Sequence, residues 1–312
     1  MKKRIISVLL ATVFALSVIG CGTKDTKEQD AYRQYGITCM ESGKYEDAVK
    51  AFQNALGESI GHIGEKELDI CFYKAKAQAL DGKTKDALAT YNAIIKYNKD
   101  ARAYYLRGDL YMDMGEEKKG KADFESAVQH GKKNYEIYIG IYESLSRHEK
   151  KDEGQKYLSA AMEIKGDKPE DELYKGRISY LLGENKDAIS YLEKAKEHKQ
   201  MLASYYLGLA YDANGDSDKA KKCIAEYIKR GVATSYDLYE LGMQEMQDGN
   251  YKNALTYFNS GLELEKVPNK QNLMKSAIAA YEYSGDFDSA KKMMKEYLKA
   301  CLLYTSPSPR DA

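Results

Sequence analysis

The chain has 312 residues, with 48 Lys+Arg against 48 Asp+Glu and a formal net charge of zero. Balanced charge gives no basic field, which disfavours nucleic acid as a partner. With 31% charged and 43% apolar residues, the chain is neither a low-charge membrane bundle nor a disordered acidic tract. At about 150 residues per domain, length alone suggests two domains. Four prolines fit a mostly helical chain. Five cysteines at irregular positions match neither a dense disulfide framework nor a zinc ligand set. The 28 Tyr, beside 6 Phe and no Trp, put the aromatic mass on a residue with a polar tip.

In chain order, Lys2, Lys3 and Arg4 form a basic stretch ahead of an apolar run from Ile5 to Ile19. That run is shorter than the roughly 20 residues of a spanning helix and reads as a targeting segment over residues 1–20. It ends in Val18-Ile19-Gly20-Cys21, which resembles a bacterial lipobox. The resemblance implies cleavage before Cys21, lipid on its thiol, often a palmitate-type acyl chain on the new N-terminus, and stable membrane anchoring by several chains. The alternative is an ordinary secretory signal with a chance Cys. Residues 21–30, beginning Cys21-Gly22-Thr23-Lys24-Asp25, read as a polar tether.

From residue 31 a Gly-x4-Ala spacing recurs: Gly43/Ala48, Gly82/Ala87, Gly183/Ala188, Gly215/Ala220, Gly249/Ala254 and Gly285/Ala290. Gly115/Gly120 and Glu149/Gly154 keep the same frame. The second anchors fall at 48, 87, 120, 154, 188, 220, 254 and 290, a period near 34 over eight units. Each unit reads as two helices. Helix A carries a small residue seven before the turn: Gly36, Ala75, Gly108, Gly176, Gly208, Gly242. The turn Gly is expected in the left-handed conformation, with Asp or Asn two to three residues on as cap of the next helix. Helix B carries triplets such as Ala48/Phe52/Ala55 and Ala254/Phe258/Gly261 on one face. Pro169 and Pro268 fall between units, and extra residues from Glu58 to Gly64 lengthen the first junction.

This pattern resembles the tetratricopeptide repeat over about residues 31–300. Departures are the frequent lack of a closing Pro, Tyr32, Tyr104 and Tyr138 where Trp is usual, and degenerate fourth and eighth units. The resemblance implies an all-α, right-handed α-solenoid of about eight helix–turn–helix repeats, with partners bound on the concave face lined by helix A. The tail, residues 301–312, breaks the pattern and resembles a translated sequencing adapter; on that reading the natural chain continues past Ala300. A short Pro/Ser tail is the alternative. Setting aside the three cations of residues 1–20, with Arg310 and Asp311, leaves 44 bases against 47 acids, net −3.

His62, His130, His148 and His198 stand at no ligand spacing and read as solvated surface residues. Cys39, Cys71 and Cys223 read as small core residues, with a Cys39–Cys71 disulfide as the alternative. No nucleophile motif, phosphate loop, dinucleotide fingerprint or zinc helix is present, so no enzyme activity, metal or cofactor is expected.

If the repeat frame holds, inward positions of helix A include Lys76, Asp109, Glu143, Arg147, Leu209 and Asp212. The candidate partner-binding residues are Phe72, Tyr105, Met112, Arg177, Tyr180, Tyr205, Tyr236, Tyr239, Met243 and Met246. Tyr offers contact area at low entropy cost and Met adapts its shape; packing between neighbouring helices is the alternative for any one of them. The expected protein is thus a membrane-anchored, extracytoplasmic scaffold holding a protein or peptide in a Tyr/Met-lined groove. Two alternatives stay open: a subunit of an envelope assembly complex for outer-membrane or pilus proteins, and a surface lipoprotein that captures glycans or peptides.

Overall fold

A computed structural model describes residues 27–58, 63–166 and 168–305, with side chains as far as residue 300. The targeting segment, Cys21, His62 and the tail beyond 305 lie outside the described residues. Within them the chain is all-α, with sixteen helices in eight pairs. The pairs are α1 (Lys27–Glu41) with α2 (Tyr45–Gly57), α3 (Glu65–Leu80) with α4 (Thr84–Asn98), α5 (Ala101–Asp113) with α6 (Glu117–His130), and α7 (Tyr135–Arg147) with α8 (Lys151–Met162). They continue with α9 (Pro169–Leu182) and α10 (Asn185–Glu197), α11 (Ala203–Ala213) and α12 (Ser217–Lys229), α13 (Ser235–Gln247) and α14 (Tyr251–Leu262), and α15 (Lys270–Tyr283) and α16 (Phe287–Thr305). Odd-numbered helices are the A helices of the sequence frame and even-numbered ones the B helices.

The turn inside every pair is built alike. Gly43 and the six glycines at its register have φ between 72° and 85°, the left-handed region that glycine enters without steric cost. In the fourth pair Glu149 takes that place at φ 62°, which costs an L-residue about 1–2 kcal/mol. The next residue then donates its N–H back across the turn to a helix A carbonyl: Lys44 to Cys39, Lys150 to Leu145 and Asp216 to Tyr211, each at 2.8 Å. This is the Schellman closure of helix A, and it is the same in all eight pairs. The expectation that Asp or Asn two to three residues on would cap helix B does not hold. The N-cap is the residue directly after the turn position, and its side chain makes no cap hydrogen bond in α2, α4, α6, α8, α10, α12 or α14. The tight turn sets the N-cap ψ near 40–66° there; at α16 the same closure stands beside a side-chain cap, Ser289 N–H donating to Asp286 at 3.1 Å.

The small residue of helix A is where the two helices of a pair meet. A Cβ built on Gly36 would lie 2.6 Å from the Phe52 ring, on Gly176 2.4 Å from Leu192, on Gly208 2.4 Å from Ile224, and on Gly242 2.3 Å from Phe258. The bulky residue four past the second anchor therefore fills the hollow that glycine leaves, and Phe52, Phe124, Leu158, Leu192 and Phe258 are fully buried. Pro169 opens α9, where its missing N–H costs nothing.

The pairs group into two compact units. One ends at Gly231 and holds α1–α12; the other begins at Val232 and holds α13–α16. In the first, core clusters recur at successive junctions. Phe52, for example, packs with Ile70 and Ala77 of α3, and Leu192 with Leu207 and Ala210 of α11. In the second, Ala254 and Phe258 of α14 pack with Leu273, Ala277 and Ala280 of α15.

Candidate partner-binding surfaces

In the first unit, consecutive A helices touch, and one register of them carries charge. Lys76, Asp109, Glu143 and Arg177 each stand six residues before the turn position of α3, α5, α7 and α9. These charges are knit together. Arg147 donates to Asp109 at 2.5 Å; Arg177 donates to Glu143 at 3.1 Å and sits 3.4 Å from Glu136. The Arg177 guanidinium, with its side chain only 15% exposed, also lies 5.5 Å from the Tyr206 ring centre. Burial pushes the Glu143 carboxyl above its ordinary value, against the pull of Arg177. Burial and Arg102 push the Lys76 ammonium down, against Asp109. Further along, burial and Asp109 lift the Asp113 carboxyl, while Arg147 and His148 pull it down.

The tyrosines of this face are wedged between helices. Tyr105 fills the space opposite Gly140, where a Cβ would lie 2.6 Å from Tyr105 Cζ, and its ring tilts on Phe124 at 6.3 Å. Burial, with Asp109 and Glu143 nearby, holds its hydroxyl well above the usual range. Tyr180 is half-buried against the cluster of Leu192 and Leu207. Tyr205 lies edge-on to Tyr206 at 5.1 Å and tilted on Tyr227 at 5.3 Å.

Two of the candidate residues are corrected. Phe72 is 5% exposed, packed with Tyr91, Ile94 and Ala103 under the guanidinium of Arg102 at 4.4 Å. Met112 is 4% exposed; its sulfur occupies the hollow left by Gly120, where a Cβ would lie 2.8 Å away. Both are core residues: Met112 fills the room that Gly120 leaves, and Phe72 is covered by its neighbours on α4 and α5. The described histidines are also not merely solvated. His130 stacks on Tyr104 at 5.3 Å, His148 lies 3.2 Å from Asp113 and His198 2.9 Å from Glu172. Cys39 and Cys71 are free thiols, so the disulfide alternative falls. Among the described residues no group of three or more His, Cys, Asp or Glu is placed to hold a metal ion.

The second unit presents a different surface. Tyr236, Tyr239, Met243 and Met246 follow one another on α13 at i, i+3, i+7 and i+10, and each is half-buried. Tyr239, Met243 and Met246 rest on the core of Phe258 and Leu273; the Tyr239 ring tilts on Phe258 at 6.2 Å, and Ser276 Oγ donates to Met243 Sδ at 3.5 Å. Between α14 and α15, Asn259 donates to the Tyr281 hydroxyl at 3.2 Å, and Tyr283, 67% exposed, stacks on Tyr251 at 5.3 Å. The charged register of the first unit is occupied here by Met243 and Ala279.

The inward register list contained every member of the charged row. It did not show that the row is self-paired. The signal that could have found this is the alternation of sign at near-34 spacing, from Lys76 to Asp109 and from Glu143 to Arg177.

Residues 36–95, 101–129 and 202–230 each match a tetratricopeptide repeat family. These stretches fall on the first two pairs, on α5–α6 and on α11–α12. No curated protein matches the sequence. Among solved structures, the chain is similar to a tetratricopeptide repeat protein from Parabacteroides merdae, at 12% identity and TM-score 0.47, over 82% of this chain and 99% of that one. It is similar to the C-terminal part of a TPR repeat-containing protein from Cytophaga hutchinsonii, at 14% identity and TM-score 0.39, over 78% and 98%. A third, in the APC/C hetero-tetramer Cut9-Hcn1, matches at 16% identity and TM-score 0.45, over 86% of this chain and 52% of that one.

Proposed function

We propose that this chain, a tetratricopeptide repeat protein by its matched repeats and its all-α architecture, is a lipid-anchored, extracytoplasmic scaffold that holds a protein or peptide on its A-helix surfaces. Repeats of this class serve protein–protein interaction. The observation that carries the finer reading is the row Tyr236, Tyr239, Met243 and Met246 on α13. Each side chain is half-exposed, and three of them rest on a fixed core, so the surface is preorganised and loses little entropy when it binds. Tyr and Met supply adaptable apolar area of the kind that dominates recognition energy. In the first unit the equivalent register spends its charge on internal pairs, which leaves fewer unmet polar groups for a ligand. The address rests on the sequence of residues 1–21.

Two experiments test this. Crosslinking in intact membranes, followed by purification of the full chain, should capture a specific protein, and Tyr236→Ala with Met246→Ala should abolish that capture. An unchanged capture pattern from the folded double variant removes the α13 surface from the reading. Cys21→Ala should move the protein from the membrane to the soluble fraction; continued attachment contradicts the anchor. One observation favours a second reading. Tyr283, exposed and stacked on the half-buried Tyr251, offers an aromatic face of the sort that packs on sugar rings. Calorimetric titration with soluble oligosaccharides, lost in Tyr283→Ala, would support it over protein capture.

A further inference from the structure

One acid on the α13 surface lacks the partner that A helices of the first unit give theirs. There, Asp69 of α3 meets Arg33 of α1 at 2.5 Å. Asp109, Asp113 and Glu143 meet Arg147, His148 and Arg177 in the same way. Each of these pairs joins one repeat to the next, so the charge is satisfied inside the fold.

Helix α13 is charged in one sense only. Residues 234–249 carry four acids, Asp237, Glu240, Glu245 and Asp248, and no Lys or Arg. Asp237 is used by the helix itself, accepting from the Thr234 N–H at 2.8 Å and from the Thr234 hydroxyl at 2.7 Å to close a capping box. Glu245 accepts from the Asn253 amide of α14 at 3.2 Å, and Asp248 stands at the C-cap. Glu240 makes no hydrogen bond or ion pair among the described residues. It is exposed, yet the protein around it and the charge of Asp237 push its carboxyl above the ordinary value. Its helical neighbours are Tyr236, four residues before, and Met243, three after, so the carboxylate stands within the Tyr/Met stripe. Of the two bases on α15, Lys270 opens the helix and Lys275 lies over the Tyr297 ring of α16 at 5.5 Å; neither pairs with Glu240.

Taking α13 as the binding surface proposed above, we infer that its partner is a cationic amphipathic segment of a protein. Apolar side chains of that segment cover Tyr236, Tyr239, Met243 and Met246, and a Lys or Arg among them meets Glu240. Any occupant that covers the row takes Glu240 further out of water along with its neighbours. A neutral segment leaves that carboxylate unmet, and an acidic one sets a like charge against it. A cation alone offsets the lost hydration. Asp237, Glu245 and Asp248 add a field of the same sign along the helix, which draws a basic segment to it.

The test uses three labelled synthetic peptides that share one leucine face at helical spacing. They differ at the polar positions, which are all lysine, all glutamine or all glutamate. Each is titrated into the full-length chain and followed by fluorescence anisotropy. The lysine peptide is expected to bind saturably and about tenfold tighter than the glutamine peptide, with the advantage shrinking at high salt. The glutamate peptide should bind most weakly. Glu240→Gln, a change at an exposed position, should weaken the lysine peptide about fivefold and the glutamine peptide less than about twofold. Glu125→Gln, at an exposed acid of α6, should change neither. A lysine advantage that survives Glu240→Gln, equal binding of the lysine and glutamine peptides, or no saturable binding of the lysine peptide overturns the inference. Tyr236→Ala with Met246→Ala judges the surface separately. If the lysine and glutamine peptides bind equally and both are lost in that variant, the α13 surface stands and the cationic requirement falls. If the lysine peptide keeps its affinity there, the surface falls and the cationic partner with it.

Discussion

The four A helices from α3 to α9 and the two of the second unit use one register in opposite ways. Between α3 and α9 the position six before the turn carries Lys76, Asp109, Glu143 and Arg177, and the last two pair with each other while Asp109 pairs with Arg147. In the unit that begins at Val232 the same position carries Met243 and Ala279, and the neighbouring surface is Tyr and Met. The backbone motif is the same in both, since every turn closes by the same hydrogen bond. Scaffold and surface chemistry are therefore separable here. The turn Gly, the small residue of helix A and the bulky residue of helix B set the pair, and the inward register is left free to vary.

Five substitutions test how far the two units are alike. The largest effect is expected where the units are alike. Gly176→Ala in the first unit and Gly242→Ala in the second drive a Cβ to 2.4 Å and 2.3 Å from Leu192 and Phe258. Each should destabilise by about 2–3 kcal/mol in denaturant unfolding. A large difference between them would mean that the units do not share one packing rule.

Next comes the register where the units differ. Arg177→Met strands the Glu136 and Glu143 carboxylates beside an apolar side chain. About 1–2 kcal/mol should be lost at pH 7, below the usual figure for a buried pair because all three groups are partly exposed. The loss should fade on acidification. Burial already lifts the Glu143 carboxyl, and without Arg177 it rises further, so its penalty builds from the ordinary carboxylate range upward and is complete only above that raised value. Below the ordinary carboxylate range the group is neutral folded and unfolded, and variant and parent should converge. Thermal unfolding between pH 7 and pH 4 reads this directly, and a deficit independent of pH would separate the row from electrostatics.

A smaller effect of opposite sign is expected at the fourth turn. Glu149→Gly relieves the left-handed conformation and should stabilise by about 0.5–1 kcal/mol after glycine's extra unfolded-state entropy is counted. The smallest is Tyr283→Ala, at an exposed side chain, where a stability change within about 0.5 kcal/mol is expected.

The pairs and their turns were legible because they rest on local sterics. A Gly–Ala spacing with a small residue seven earlier has few structural solutions, and even Glu149 kept its place in the frame. The N-caps were misread, since Asp and Asn near a helix start suggest side-chain caps while the closure of the preceding turn had already fixed the entry angle. Depth was the harder quantity. Phe72 and Met112 stand at inward registers by count, but register fixes direction along a helix and not what lies opposite. Met112 is buried because Gly120 left it a hollow, a fact that joins two helices. The pairing of Arg147 with Asp109, and of Arg177 with Glu143, spans 38 and 34 residues and depends on how consecutive A helices meet.

On the proposed reading, the inward row of the first unit serves mainly the fold and the α13 row serves binding. Membrane crosslinking of equal amounts of folded protein tests it, with Tyr236→Ala/Met246→Ala set beside Glu143→Gln/Arg177→Gln. The first pair should lose captured partner by about tenfold or more, and the second should keep it within about twofold while unfolding at lower denaturant. Capture kept by the α13 variant and lost by the Glu143/Arg177 variant would contradict it.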